Sequence, residues 1–422
     1  MRSFDRASLA DLVGRLRPGM KVLLPPGCGE PVSLVAEICR QADRLAPLTL
    51  MGGLHLGEYP FCRADLAGKI TFVTWHMSPR LREARARGQV DYVPVRYFDV
   101  VTVFAAGGAW PPDCVVVHVS PPDARGYLSL GVSVSVTRPA ALRAPLVLAQ
   151  VNPRMPRTLG NAFLHASQID AWAEVSEELR EYPPPQVSEV ERAIGRRVAE
   201  LVPDGATVQV GIGVIPQAVL AALDGKRDLS LYSLLVDAAV TLSERGALAA
   251  GSAAGRGRMD IGEIMGTRRV FDFAHDNPAI TMVSSDTLHD PGVVARLDRF
   301  VSINSALEVD VTGQVTAESL GGSPVAGIGG QFDFVLGASL APGGVSIIAL
   351  PSTGRGGSVS RIVSRLSAGA AVTTPRYLVD WVVTEHGAVR LRGLGERARA
   401  AALIAVAHPR FVEELEQSCA SV

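Results

Sequence analysis

The sequence predicts a mixed α/β protein made of two tandem halves, each built on a mainly parallel sheet. Three observations lead there. Short β-branched runs alternate with Ala/Leu-rich amphipathic stretches. A stiff proline run divides the chain near its middle. Both halves open with the same strand–glycine–helix corner.

The first observation covers most of the chain. "KVLLPP" leads into "PVSLVAEICRQADRL", a strand followed by an amphipathic helix. "DCVVVHVS", "APLVLAQV", "ATVQVGI", "AITMVSS" and "GVSIIAL" are further runs of buried-strand type. The second lies in "EELREYPPPQVSEVERAIGRRVAEL". Pro183, Pro184 and Pro185 make an extended linker. Ser188 with Glu191 then forms a capping box for a new helix. The expected domains are therefore 1–182 and 187–422. The third is an echo: "KVLLPPGCGEPVSLVAEI" and "TVQVGIGVIPQAVLAAL" share strand, Gly-x-Gly, proline and helix, as an ancient duplication or two independent openings would give.

Composition narrows the function. The 422 residues are 47% apolar and 20% charged, with a formal net charge of −1. No global field draws such a chain to nucleic acid or to a membrane, and no run reaches the ~18 apolar residues of a span. The basic run Arg80, Arg82, Arg85 and Arg87 has the spacing of a solvated helix face. The five cysteines (Cys28, Cys39, Cys62, Cys114, Cys419) are scattered and form no CxxC pair, which argues against zinc and against a disulfide framework. The N-terminus lacks the apolar core of a signal peptide. The expectation is a cytoplasmic protein without a metal.

The corner at 211–216 carries no lysine, histidine or acid. A Gly-x-Gly turn lets a ligand approach the backbone, and the first N–H groups of the helix then face an anion or an oxyanion. A dinucleotide fingerprint would need a third glycine and an acid some twenty residues on. A P-loop would need Gly-Lys-Ser/Thr. Neither is present. A second corner, "GGSPVAGIGGQFDFVLGA", places Gly327, Gly329 and Gly330 before Gln331, Asp333 and a helix. "ALPSTGRGGSVSRIV" adds Arg355 and Arg361 in a glycine/serine loop. Two glycine corners and an arginine loop suit a long phosphate-bearing ligand with an acyl carbonyl.

These segments carry a resemblance. "CGEPVSLV", "VSPPDARGYLSLGVSVSVTRPA", "VNPRMPRTLGNAFLHASQID", "GIGVIPQAV", "INSALEVDVTGQV", "GIGGQFDF" and "VVTEHGAVRLRG" occur in this order over nearly the whole length. Together they are similar to the acetyl-CoA hydrolase/transferase family, close to the 4-hydroxybutyrate CoA-transferases. The resemblance implies two CoA-transferase-type domains and coenzyme A as acyl-CoA substrate. It also implies a small acceptor and a homodimer or homotetramer. It places Gly211, Ile212, Gly213, Val214 and Ile215 against CoA or the acyl group. Gly327, Gly329 and Gly330 would lie near the thioester, with Asn304 in the matching site segment and Arg355 in the cofactor-binding loop. Gln150, Asn152 and Arg154 would hold either substrate or a domain interface.

Family chemistry, as the resemblance implies it, uses one glutamate. Its carboxylate attacks the thioester to give a mixed anhydride, and the released thiolate then gives a glutamyl-CoA. The glutamate belongs to a His-Ser/Thr-Glu segment, with Asp-Gly four and five residues after it. This chain reads "DLSLYSLLVDAAVTLSERGAL". One matching puts Ser233 in the glutamate's place; the other puts Leu234 there. The histidine becomes Leu231 or Tyr232, and the glycine Ala238. A displaced acid is the other way to supply the carboxylate. Glu263 in "DIGEIMGTRRVFDF" is the first candidate, against a reading as a solvated or ion-paired helix residue; Glu318 and Glu385 follow. Three functions result: an acyl-CoA enzyme with altered chemistry (hydrolysis, transfer to a non-carboxylate acceptor, or carbon–carbon bond chemistry), a CoA-transferase using a displaced acid, or a non-catalytic CoA-binding subunit.

Overall fold

The computed structural model describes residues 5–248 and 257–419. The chain forms two compact units. One is Met1–Pro183 with Asp260–Leu288; the other is Pro184–Met259 with His289–Val422. The proline run falls where the main segment of the first unit ends. The segment Asp260–Leu288, kept with the second half in the sequence reading, packs within the first unit.

The first unit is built on an eight-stranded sheet. Its strands run in the order Asp5–Arg6, Ala171–Glu174, Leu146–Val151, Cys114–Val119, Lys21–Leu23, Leu48–Gly52, Ile70–Thr74 and Val90–Tyr92, every pair parallel. All six residues of Cys114–Val119 are buried, as a strand covered on both faces requires. Leu12, Leu34, Ile38, Leu50, Phe61 and Phe72 lie in the core on one side. Lys21–Leu23 is flanked by the strand that follows it and by one from much later in the chain. Connections therefore leave it in opposite directions, which opens a crevice at its carboxyl end.

The second unit repeats the scheme. Its strands run in the order Ser230–Leu235, Thr207–Val210, Phe300–Ser305, Val345–Ala349, Trp381–Thr384 and Gly387–Arg390. The first five are parallel and the last is antiparallel. Its opening strand, Thr207–Val210, again has the next strand on one side and a later one on the other. Register aligns the edge: Val210 lies opposite Ser233 and Ile303, and Ile303 opposite Ile347. Asn304 and Ile348 pair one residue further along. Gly211 directly follows Val210, so the sequence motif stands at the switch point.

A helix locks this corner from behind. Glu189–Leu201 starts at Ser188, whose backbone N–H donates to the Glu191 carboxylate at 2.9 Å, the expected capping box. The helix crosses Val214–Ala222 so closely that a Cβ on Gly195 would stand 2.6 Å from the Ala218 carbonyl oxygen. Backbone cannot yield there as a side chain can. Gly195→Val should destabilise the second unit by about 1–3 kcal/mol through overpacking. The urea-unfolding midpoint measures it, and an unchanged midpoint would show that the two helices can part without cost.

Candidate active site

The corner after Val210 is open. Ideal Cβ atoms on Gly211 and Gly213 would meet nothing within 4 Å. Gly213 has φ +116, a conformation L-residues rarely adopt, and it caps Val214–Ala222 without any side-chain hydrogen bond. Gln217 N–H bonds back to the Gly213 carbonyl. Pro216 has no N–H, so the amides of Val214 and Ile215 form the uncapped end. Gly211, Ile212, Gly213 and Val214 are half-exposed and Ile215 is buried. The corner is a stretch of backbone donors, and among the described residues no group stands within 4 Å of a Cβ placed on Gly211 or Gly213.

Beside it, the end of Ser230–Leu235 is strained. Ser233 is buried and has φ +90, outside the region a strand residue normally occupies. Its hydroxyl makes no hydrogen bond among the described residues, so no base activates it. Leu234 is half-exposed, and Tyr232 packs edge-on against Phe300 and Phe334. The next acid along the chain, Asp237, opens the helix Asp237–Glu244. On the other side of the corner, Asn304 is held firmly. Its amide donates to Gln209 Oε1 at 3.2 Å and to Ser302 Oγ at 2.8 Å, and the Ser302 hydroxyl donates to Gln209 Oε1 at 2.9 Å. Both amide hydrogens are engaged, and the Asn304 carbonyl oxygen accepts no hydrogen bond among the described residues.

The second glycine corner joins the same edge through Gln331, whose side chain donates to the Ser305 carbonyl at 3.3 Å. Gly329 has φ +60 and open space around it, while Gly327 is half-exposed. Gly330 differs: a Cβ there would stand 2.6 Å from both His289 and Phe334, so it serves the stacking of those two rings. Gly330 caps Gln331–Leu340, again without a side-chain hydrogen bond. Arg355 is exposed with φ +48, on a tight turn between Thr353–Gly354 and Val359–Ser360. Glu385 is fully used: Ser352 donates to it through its N–H at 2.8 Å and its hydroxyl at 2.5 Å.

The equivalent corner of the first unit is filled. A Cβ on Gly29 would stand 2.4 Å from Ser133 Cβ, and one on Gly27 2.6 Å from Met265 Sδ. Its glycines admit protein, not ligand. Behind it lies a buried polar network. Gln150 donates to Glu177 at 2.5 Å and accepts from Leu34 N–H at 3.1 Å. Asn152 donates to the Glu177 carbonyl at 2.8 Å and contacts His118 at 3.1 Å. Burial pulls the His118 pKa down to about 4, against the opposing pull of Glu177. Gln150 and Asn152 thus hold the chain after Ala171–Glu174 to their own unit. Arg154 pairs with Glu178 on the same stretch. Sequence reading missed the buried pair Glu30 and His55, 3.8 Å apart. Burial would raise the Glu30 pKa, but His55 and Arg180 outweigh it and hold the carboxyl below its ordinary value. "GCGEP" held the one signal, an acid inside an otherwise apolar corner.

Glu263 belongs to the first unit and corrects an expectation. It lies on the strand Met259–Ile264, not on a helix, and it is buried rather than solvated. Its carboxylate accepts a short hydrogen bond from the Ser135 hydroxyl. Burial raises its pKa to about 8, and Ser135 and Ser133 offset this only in part. At neutral pH it is mostly protonated, a poor nucleophile. The same pocket buries Cys28, whose thiol is pushed up to about 12. Among the described residues no group of three or more His, Cys, Asp or Glu could hold a metal ion, and no helix is long and apolar enough to cross a membrane.

The chain thus combines two α/β units, each with a glycine corner at its switch point. The chain belongs to the acetyl-CoA hydrolase/transferase family: residues 2–179 match the N-terminal domain model and residues 266–419 the C-terminal one. It is an acyl-CoA transferase/hydrolase-like enzyme. It is 40% identical to 4-hydroxybutyrate coenzyme A transferase of Clostridium kluyveri, over 96% of this chain and 94% of that one. Among solved structures it is similar to RipA from Yersinia pestis (32% identity, TM-score 0.93) and to 4-hydroxybutyrate CoA-transferase from Porphyromonas gingivalis (34%, TM-score 0.83). Each alignment covers 99% of this chain and 97% of the other.

The Glu263 pKa has a consequence for stability. Its folded value, about 8, lies above the ordinary 4.5. Between these values the unfolded chain has lost the proton that the folded chain keeps, so stability falls as pH rises through the window. Glu263→Gln removes the titration and keeps an acceptor for Ser135. The loss of stability from pH 5 to pH 9, followed by urea unfolding, should be smaller in the variant than in the parent. Equal pH slopes would show that Glu263 ionises normally.

Proposed function

We propose that this chain is an acyl-CoA enzyme whose open second-unit corner receives the CoA thioester and whose chemistry does not pass through the family's glutamyl-CoA. The acyl group goes to water or another non-carboxylate acceptor, or the enzyme acts on a carbon–carbon bond of the acyl chain. The observation that carries this is the register of the edge. The corner at Gly211 and Gly213 is uncapped and unfilled, while both candidate positions beside it, Ser233 and Leu234, lack a carboxylate. Ser233 does not replace it, because a hydroxyl needs an adjacent base and none bonds to it. Backbone N–H groups at Val214 and Ile215 suit a developing oxyanion, since they are already oriented.

The relatives' names favour a second reading, a true CoA-transferase with a displaced acid such as Glu263. Its protonated state weighs against that acid as nucleophile.

Two measurements test the proposal. Gly213→Val should abolish CoA binding by calorimetry while circular dichroism stays unchanged, since a branched side chain would fill the backbone approach and is incompatible with φ +116. Unchanged affinity in the folded variant would remove the site. Ser233→Ala should keep most CoA release from an acyl-CoA panel, and Ser233→Glu should not create efficient transfer to carboxylates. The new carboxylate would lack its supporting groups, and a 1 Å misplacement costs about a hundredfold. A loss above about a thousandfold in Ser233→Ala would make Ser233 the nucleophile. A glutamyl-CoA adduct at Glu263 in the parent would establish the transferase reading instead.

A further inference from the structure

If the thioester lies at the second-unit edge, the reaction needs a group that takes a proton from the acceptor. Three acids outside the vacated position can be compared. Glu263 is hydrogen-bonded and mostly protonated. Glu385 is held by two donors from Ser352. Glu318 is different. It is 6% exposed, its Oε2 has no hydrogen-bond partner, and none of its carboxylate atoms is bonded among the described residues.

Its position ties it to the glycine corner. The Glu318 carbonyl accepts the N–H groups of Val325 at 2.7 Å and Ala326 at 3.1 Å, which pins the start of the loop that runs to Gly330. The short hairpin between them pairs Ser319 with Pro324 and Leu320 with Ser323. The stretch 368–374 is tied to the same segment: Ala371 N–H donates to Ser319 Oγ at 2.8 Å, and Ala317 N–H to Thr373 Oγ1 at 2.9 Å. Within 315–332 Glu318 is the one ionisable side chain, and 368–374 contains none. A buried carboxylate normally finds a cation or donors. Among the described residues none donates a hydrogen bond to the Glu318 carboxylate.

We propose that Glu318 is the general base of the reaction, activating water against the thioester received at the Gly211–Gly213 corner, whose edge the 327–331 corner joins through Gln331. This rests on the acyl-CoA reading of the Gly211–Gly213 corner. Glu318 takes one proton from water as the water oxygen bonds to the thioester carbon. The tetrahedral intermediate collapses, the carbon–sulfur bond breaks, and the leaving thiolate recovers the proton from Glu318. The products are the carboxylic acid and CoA thiol, with the carboxylate unchanged. Burial alone raises the Glu318 pKa above its ordinary value, which moves a carboxylate towards the range where a base is effective at neutral pH.

The experiment compares the parent, Glu318→Gln and Glu318→Asp with a panel of acyl-CoAs. CoA affinity is measured separately by calorimetry. In the parent, kcat should fall as pH falls through the raised Glu318 pKa, because the base becomes protonated. Glu318→Gln should lose at least a hundredfold in kcat and lose this acid limb, with CoA affinity within about twofold of the parent, in the range of positioned acid–base catalysis. Glu318→Asp should keep the limb at reduced rate. Single turnover in H₂¹⁸O should label the acid product and leave the Glu318 peptide unlabelled. A Glu318→Gln variant that keeps its rate, ¹⁸O in Glu318, or a parent that binds acyl-CoA without hydrolysing any would each overturn the proposal. Failure of the parent to bind CoA would instead overturn the reading of the corner on which it rests.

Discussion

The parallel register that aligns Val210, Ser233 and Ile303 is the constraint on which the second unit's site depends. Parallel strands end on the same edge, so one alignment fixes where the glycine corner, the strained serine and Asn304 stand relative to each other. The Gln209–Ser302–Asn304 hydrogen bonds span two neighbouring strands and oppose any slip. The Gly195 crossing then holds the helix that begins at Gly213. A backbone site needs this rigidity more than a side-chain site does. N–H groups cannot change rotamer to follow a ligand, so the main chain itself must be in place.

The two glycine corners show how one local pattern serves opposite ends. Both stand at a switch point and both begin a helix. In the first unit, Ser133 and Met265 press against Gly27 and Gly29, and glycine is required because protein occupies the space. In the second, a Cβ on Gly211 or Gly213 would meet nothing within 4 Å among the described residues, so packing does not require glycine there. A missing Cβ is thus consistent with packing or with binding, and only the neighbours decide. Gly330 belongs to the packing kind and Gly329 to the open kind, two adjacent residues with separate reasons.

Much of this was legible in the sequence because its causes are local. "DCVVVHVS" and "GVSIIAL" read as strands because they are short, β-branched and continuously apolar, as a doubly covered strand requires. Ser188 and Glu191 form their capping box because it needs only four consecutive residues. What escaped had long-range causes. Glu263 stands out in the sequence as a candidate displaced acid, against a reading as a solvated helix residue, but its burial on a strand beside Ser133 and Ser135 depends on residues more than a hundred positions earlier. The Glu30–His55 pair and the role of Gln150 and Asn152 in holding Glu177 likewise depend on contacts between distant segments. Ser233 stands out in the sequence for the carboxylate it lacks; its positive φ within Ser230–Leu235 is a backbone property that composition does not reveal.

The acids of this chain illustrate why burial alone does not identify a reactive carboxylate. Burial raises the pKa of a carboxylate by withdrawing water, and donors lower it by replacing water. Glu30 is buried yet held low, because its interactions with His55 and Arg180 outweigh the loss of water. Glu263 is buried with hydroxyl donors too few to offset the loss, and it rests as a neutral acid that holds the Ser135 hydroxyl. Glu385 is satisfied by Ser352 and has no capacity to spare. Each has a local reason to be where it is that ends with its own neighbours. Glu318 has none: its backbone anchors the loop, and the side chain contributes nothing to that anchoring. Its Oε2 is buried without a hydrogen-bond partner among the described residues, which is a cost to the fold.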